Sequence, residues 1–389
     1  MRSELFELVN IHENYRESVI NMIPSENVMS RTARMALSSD LGHRYHHGFF
    51  YGGQKYIQEI ISKTRDLLSK LFRAEYVFIE PLSGNMALLT VILAFTREND
   101  GIATLSFENG GYPFNYQRLH RRAIYLPFNE EEGTIDIEAS KDIIYRERPK
   151  LIILGASFIL FPHPVKEIAE IAKDVGALTI YDGSHVLGLI AGNSFQDPLR
   201  EGADILLGST HKTFPGPQGG IIITNNDEIY ETLKNFLDFP PVMVDNPHIN
   251  RIAALGITAE EMVLYGREYA RKIVENARLL ASLLYKGGLN ISYPEKRFTS
   301  THQVHLKVRD EEEGRKIVEM LEEAGIIVDI AVRFGLQEIT RRGISERDLR
   351  RIAEIICNIL MNSEKPTKYR DETRGIAKKL NRVAFSFDV

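Results

Sequence analysis

Cysteine is almost absent from this chain: among 389 residues only Cys357 carries a thiol, and it lies in an apolar helical pattern, Ile352 to Leu360. Disulfide frameworks and cysteine-ligated metal sites are excluded within the chain, and no metal is expected. The same position counts against catalysis by a thiol on a mobile loop. The opening residues, Met1-Arg2-Ser3-Glu4, lack the apolar stretch of a secretory signal, and no apolar run approaches the length of a membrane span. The expectation is a cytoplasmic protein with no membrane partner. A basic surplus is missing too. The net charge of −5 argues against a nucleic-acid binder, which usually presents a basic face. No internal repeat or low-complexity tract breaks the chain. What remains is ordinary globular composition, 43% hydrophobic and 26% charged, enough to bury a sizeable core. At about 150 residues per domain, this length suggests two domains.

Strand-like and helix-like patterns alternate, which argues for a parallel sheet wrapped by helices. Residues 1–21 read as a helix, as do 54–73, where Ile57, Ile61, Leu68 and Leu71 share a face. The strand Tyr76 to Ile79 runs into Ser83-Gly84-Asn85 and an apolar helix from Met86 to Phe95. Strands at Leu151 to Gly155 and Ala177 to Asp182 bracket a helix, Val165 to Val175. Downstream come a long helix, Thr258 to Leu284, strands at His302 to Val308 and Ile326 to Ile330, and helices at Glu311 to Ala324 and Glu346 to Leu360. Residues 362–389 give no clear pattern. The expected division is an N-terminal helical arm (1–30), a large domain (31–255) and a small α/β domain (256–389).

The chemistry is concentrated in Ser209-Thr210-His211-Lys212-Thr213-Phe214-Pro215-Gly216-Pro217-Gln218-Gly219-Gly220, which follows an apolar strand, Ala203 to Gly208. A lysine is protonated at neutral pH unless its neighbours lower its pKa, and such neighbours are what an aldehyde-binding lysine needs. A lone His-Lys pair in a Gly/Pro turn is more commonly a solvated surface feature. Thirty residues upstream, however, a second apolar strand ends in Asp182, followed by Gly183-Ser184-His185. A carboxylate at the C-terminal end of a strand stands where α/β sheets bind ligands. Pyridoxal phosphate (PLP), the usual aldehyde, needs an anion against its pyridine nitrogen.

With these blocks the chain resembles the serine hydroxymethyltransferase family, among the fold type I PLP enzymes. Ile23-Pro24-Ser25-Glu26-Asn27 is similar to the family's ASEN segment, Tyr51-Gly52-Gly53 to its YGG, and Pro81 to Ala87 to its SGxxA turn. Asp182 to Gly188 is similar to DxAHVxG, Thr210 to Gly220 to THKTxxGPxGG, and Val332-Arg333-Phe334-Gly335 with Thr340-Arg341-Arg342-Gly343 to RIG and TTRG. The resemblance implies a large domain with a mostly parallel seven-stranded sheet and a smaller C-terminal α/β domain. It implies that Lys212 binds PLP covalently, Asp182 holds the ring nitrogen's proton, and His185 meets the cofactor's phenolic oxygen region and the substrate hydroxyl. Ser83, Gly84 and Asn85 would cradle the phosphate with Ser209, Thr210 and His211. Tyr112 would stack on the ring, with Ser157 a further cofactor contact. Arg333 would pair with the substrate carboxylate, assisted by Ser25 and Tyr45. Tyr51 would cross from a neighbouring subunit and Asn246 would reach a partner's phosphate, in a homodimer with shared sites or a tetramer built from it.

The departures from the family bear on the acceptor. Where the family reads roughly YAEGYPGKRYYGG, this chain has Tyr45-His46-His47-Gly48-Phe49-Phe50-Tyr51-Gly52-Gly53, about four residues shorter and without the acid/base glutamate. His47 is the nearest counterpart, a group able to carry protons at neutral pH. The family's GGPH is Asp245-Asn246-Pro247-His248 here. Two enzyme readings follow. One is transfer of a hydroxymethyl group between serine and glycine with tetrahydrofolate or tetrahydromethanopterin as carrier. The other is a pterin-independent aldolase acting on threonine-type or α-methylserine substrates. An aminotransferase is disfavoured by the THKT block, and a PLP-binding regulatory protein by the retained carboxylate clamp.

Overall fold

The computed structural model describes residues 3–46, 50–238 and 242–388. The chain divides into two compact units, Met29–Ala270, and Met1–Val28 together with Arg271–Val389. The second boundary falls inside one continuous helix, Ile249–Lys286, rather than at 255/256. The sequence pattern placed that helix's start later, at Thr258, whereas the helix runs unbroken through Gly256. The glycine is a packing device: a Cβ there would lie 2.4 Å from Thr64 Oγ1.

The unit 29–270 is built on a seven-stranded sheet. Its strands are β1 (Tyr76–Phe78), β2 (Gly101–Thr104), β3 (Arg122–Tyr125), β4 (Leu151–Leu154), β5 (Leu178–Asp182), β6 (Ile205–Ser209) and β7 (Gly220–Thr224). They stand in the order β1-β7-β6-β5-β4-β2-β3. Only β7 runs antiparallel to its neighbours; the other pairs are parallel. Such a sheet is covered on both faces, so its strands are uninterrupted apolar runs. All four residues of β4 and all five of β6 are buried. One core gathers Phe78, Val91, Ile153, Ile180, Leu207 and Ile222. Helix Lys55–Phe72 buries Ile57, Ile61, Thr64, Leu68 and Phe72, the spacing of a single stripe, and stops at Arg73 in the left-handed region (φ 51°).

In the other unit the expected helix over 1–21 ends at Glu17. Ile20–Asn21 instead forms a short parallel pair with Ile326–Ile327, which joins residues 1–28 to the C-terminal part of the chain. The strand expected over Ile326 to Ile330 is accordingly two residues long, and that over His302 to Val308 narrows to Gln303–His305, antiparallel to Arg333–Gly335. Helices Glu311–Glu323 and Glu346–Leu360 lie where the periodicity places them. The C-terminal stretch, unreadable from sequence, contains a helix, Arg370–Lys379. Among the described residues no helix is long and apolar enough to cross a membrane.

Candidate active site

Four parallel strands, β2, β4, β5 and β6, deliver Thr104, Gly155, Asp182 and Ser209 at or just past their C-terminal ends. That is the edge where a doubly wound sheet leaves a crevice. A cavity of about 230 Å³ opens there, lined by Ser83, Gly84, Asn85, Tyr112, Ser157, Asp182, His185, Ser209, His211 and Lys212. Residues scattered over 130 positions of sequence thus meet at one place.

At one side stands the N-terminus of the 12-residue helix Gly84–Phe95. Ser83 caps it, its Oγ accepting from Met86 N–H at 3.1 Å. The amides of the first helical turn have no acceptor within the helix, and the helix dipole adds positive potential, so the end suits an anion such as a phosphate. Gly84 is required by space: a Cβ there would fall 2.2 Å from Ser209 Oγ and 3.1 Å from Ser184 Oγ. Gly84→Ala should therefore weaken PLP binding roughly ten- to hundredfold, the equivalent of an overpacking cost of about 1–3 kcal/mol. Titration of the apoprotein with PLP measures it, and unchanged affinity would show that the phosphate sits elsewhere.

Asp182 borders the cavity, its Oδ1 accepting from Ser184 N–H at 2.9 Å. Enclosure pushes its carboxyl above the usual range, opposed by the Ser184 hydrogen bonds and the Lys212 charge. A cationic N–H set against it would be stabilised and would draw that pKa back down. His211 is held neutral, its pKa lowered to about 4 by burial first and the Lys212 charge second. Its Nδ1 is buried with no hydrogen-bond partner among the described residues, so it can serve a bound group. Tyr112 donates its hydroxyl to Asn85 Oδ1 at 3.2 Å. A phosphate-sized anion site, a carboxylate and a lysine around one small cavity are the set PLP needs, and the residues present fit it.

Two cross-links fix the lysine loop. Ser184 Oγ accepts from Ser209 N–H at 3.1 Å and lies 3.2 Å from Ser209 Oγ, tying the end of β5 to that of β6. Thr213 donates its hydroxyl to the His185 carbonyl at 2.7 Å and accepts from Gly188 N–H at 3.0 Å. Lys212 lies between these two ties. Thr210, expected at the phosphate, is fully buried, is not among the lining residues, and donates its hydroxyl to Pro217 O at 2.7 Å. Its place is inside the glycine-rich turn.

The remaining expected residues are not among those that line this cavity. Tyr45 and Tyr51 are exposed with ring centroids 5.9 Å apart. Asn246 donates to Arg44 O at 3.2 Å. His47 falls outside the described residues. Arg333 and Ser25 belong to the other unit, where the Arg333 guanidinium meets Asp329 Oδ2 through Nε at 2.8 Å and Nη2 at 2.5 Å. The sequence reading passed over Ser184, Gly155, Thr104 and Tyr116, all on the cavity wall. Ser184 sat in plain view between Asp182 and His185. Gly155 was marked by its place at a strand end; at φ 91° it comes so close to β5 that a Cβ would lie 2.0 Å from Asp182 O. Thr104 and Tyr116 carry no local signal.

Comparison with known proteins agrees with this geometry. A family model described as serine hydroxymethyltransferase matches residues 1–356. Serine hydroxymethyltransferase from Archaeoglobus fulgidus is 40% identical over 411 aligned positions, covering 99% of this chain and 93% of the relative. That from Thermococcus kodakarensis is 38% identical, covering 100% and 96%. Among solved structures, L-threonine transaldolase from Pseudomonas fluorescens in its internal aldimine state superposes with a TM-score of 0.93 at 29% identity, covering 99% of this chain and 93% of that one. The PLP-fitting cavity and a match running over most of its length place this chain in the serine hydroxymethyltransferase family of PLP-dependent enzymes.

Proposed function

We propose that the protein transfers a hydroxymethyl group between serine and glycine, making and breaking the Cα–Cβ bond of a small β-hydroxy-α-amino acid. The observation that carries this reading is the convergence of Lys212, Asp182 and His185 on one cavity beside a capped helix N-terminus, in a chain of this family. When bound, PLP supplies the electron sink for the broken bond. Lys212 would hold the cofactor through Nζ, and Asp182 would keep a proton on its ring nitrogen. His185, buried and fixed by Thr213 at its backbone carbonyl, would orient the substrate's β-hydroxyl. Arg333 would grip the substrate carboxylate with its planar fork and so set the scissile bond against the ring. His47 is the candidate proton carrier on the hydroxyl side.

The carrier is a folate or modified pterin in this reading. The second reading, pterin-independent aldol chemistry, is favoured by the shortened Tyr45 to Tyr51 segment and by the structural likeness to a threonine transaldolase. A turnover panel separates them: serine with and without tetrahydrofolate or tetrahydromethanopterin, and threonine, allo-threonine and α-methylserine with neither. Serine turnover that depends on a pterin supports the first; cleavage of threonine alone supports the second.

A homodimer sharing its active sites is part of the proposal. It is supported by helix Glu4–Glu17, which buries no residue although it carries Leu5, Phe6, Leu8, Val9 and Ile11, and by the exposed Tyr51. Sedimentation at micromolar concentration tests it. A cytoplasmic location, supported by a family acting on free amino acids, is tested by cell fractionation.

Arg333→Lys should raise the KM for serine about ten- to hundredfold and leave PLP binding intact, because a charged hydrogen bond is worth about 1.5–3 kcal/mol and lysine cannot present the fork. An equal loss for an amine lacking a carboxylate would assign the arginine another role.

A further inference from the structure

The short strand and helix that begin at Arg333 send two of their donors, the Gly335 N–H and the Gln337 amide, to the backbone of residues 22–26, and His302 adds a third. Gly335 N–H donates to Met22 O at 2.6 Å. Gln337 Nε2 donates to both Ile23 O at 2.8 Å and Glu26 O at 2.6 Å. His302 Nε2 meets Pro24 O at 3.1 Å, a contact in which a carbonyl can only accept, so this nitrogen carries the proton. Four carbonyls on five consecutive residues are thus served from one neighbourhood. Gln337 and His302 are both fully buried, where an unmade hydrogen bond is costly. There is no slack in the arrangement, since a Cβ on Gly335 would stand 2.5 Å from Pro24 Cα.

Only Ser25 in the middle of this segment has its carbonyl outside the set, and the residue is partly exposed. Ser25 is therefore displayed on a backbone clamped at both sides. The clamp is anchored two and four residues beyond Arg333, in the same chain segment. We propose that Gln337, seconded by His302, is a positioning residue for the amino-acid substrate: it holds Ser25 in fixed register with Arg333, so that the two present one preformed grip. This rests on the reading that Ser25 and Arg333 bind the substrate. The amide ties the carbonyls of Ile23 and Glu26, three residues apart, to one side chain. What the amide adds is a single spacing.

Two substitutions at Gln337 test the proposal in the PLP-loaded enzyme. Gln337→Leu should raise the KM for serine at least tenfold while kcat changes less than threefold and PLP content stays at wild-type level. Gln337→Glu keeps the shape but turns an acceptor toward two carbonyls; protonation restores one donor. Its KM should therefore fall steeply as pH drops from 8.5 to 6, relative to the wild-type profile. A Gln337→Leu enzyme with normal KM, or a loss of thermal stability and PLP together with no KM change, overturns the proposal. If Gln337→Leu does not fold, the Gln337→Glu profile decides alone, and a wild-type profile overturns the proposal. Arg333→Lys is run in parallel. Should it leave KM unchanged, the substrate-site reading itself fails; should it raise KM while both Gln337 variants behave as wild type, only the clamp fails.

Discussion

Asp182→Asn should cut serine turnover about 10²- to 10³-fold, the range seen when one preorganised electrostatic partner is removed from a reacting centre. The substitution keeps the size and the acceptor that takes the Ser184 N–H at 2.9 Å, so the loop has no reason to move. What changes is the sign of the partner: with that oxygen engaged, the amide nitrogen would be the atom left for the proposed ring-nitrogen contact, and a donor cannot hold a protonated ring nitrogen. The same substitution has a readable effect on the apoprotein. Burial raises the Asp182 pKa, so the folded state favours the proton and folding stability falls as pH rises through that pKa. A neutral amide avoids this, and apo Asp182→Asn should melt at or above the wild-type temperature near pH 8, with the gap closing on acidification. Calorimetry of the apoprotein and kcat of the loaded enzyme check the two halves. Unchanged turnover would make Asp182 a structural carboxylate.

The parts of the fold that were legible in sequence are those decided by local pattern. β4 and β5, with Val165–Val175 between them, show in apolar runs and in the 3.6-residue spacing of Ile168, Ala172 and Val175. The Asp182 and Lys212 loops were legible because polar and glycine residues break off apolar strands abruptly. Ile20–Asn21 was not legible, since its strand exists only through Ile326–Ile327, some three hundred residues away. The direction of the Thr210 side chain was not legible for a related reason. Its block names a hydroxyl but not a direction, and the direction is set by the carbonyl of Pro217 across the turn. Ser184 illustrates the opposite failure, a residue in view whose work is to bridge two neighbouring strand ends and so shows only once those ends are side by side.

Lys212→Ala should lower turnover on the order of 10³-fold or more, the largest effect expected of any single substitution here, since it deletes the side chain proposed to hold the cofactor covalently. Folding and PLP binding should survive. The helix N-terminus at Ser83 and Gly84, the Asp182 carboxylate and the Tyr112 to Asn85 hydrogen bond do not pass through the lysine. Ser209 and Thr213 stay tied to Ser184 and His185, so the loop keeps its shape around the space the side chain leaves. A small primary amine in the buffer should enter that space and supply the missing nitrogen, so methylamine should restore part of the rate, and a bulky amine should not. Borohydride treatment of the wild type gives the independent readout. It should bleach the visible absorption and leave the cofactor fixed to one peptide, the one containing Lys212, whereas the variant should release it on denaturation. Cofactor fixed to a different lysine, or a Lys212→Ala enzyme with full turnover in amine-free buffer, would move the catalytic amine elsewhere in the chain and with it the assignment of the cavity.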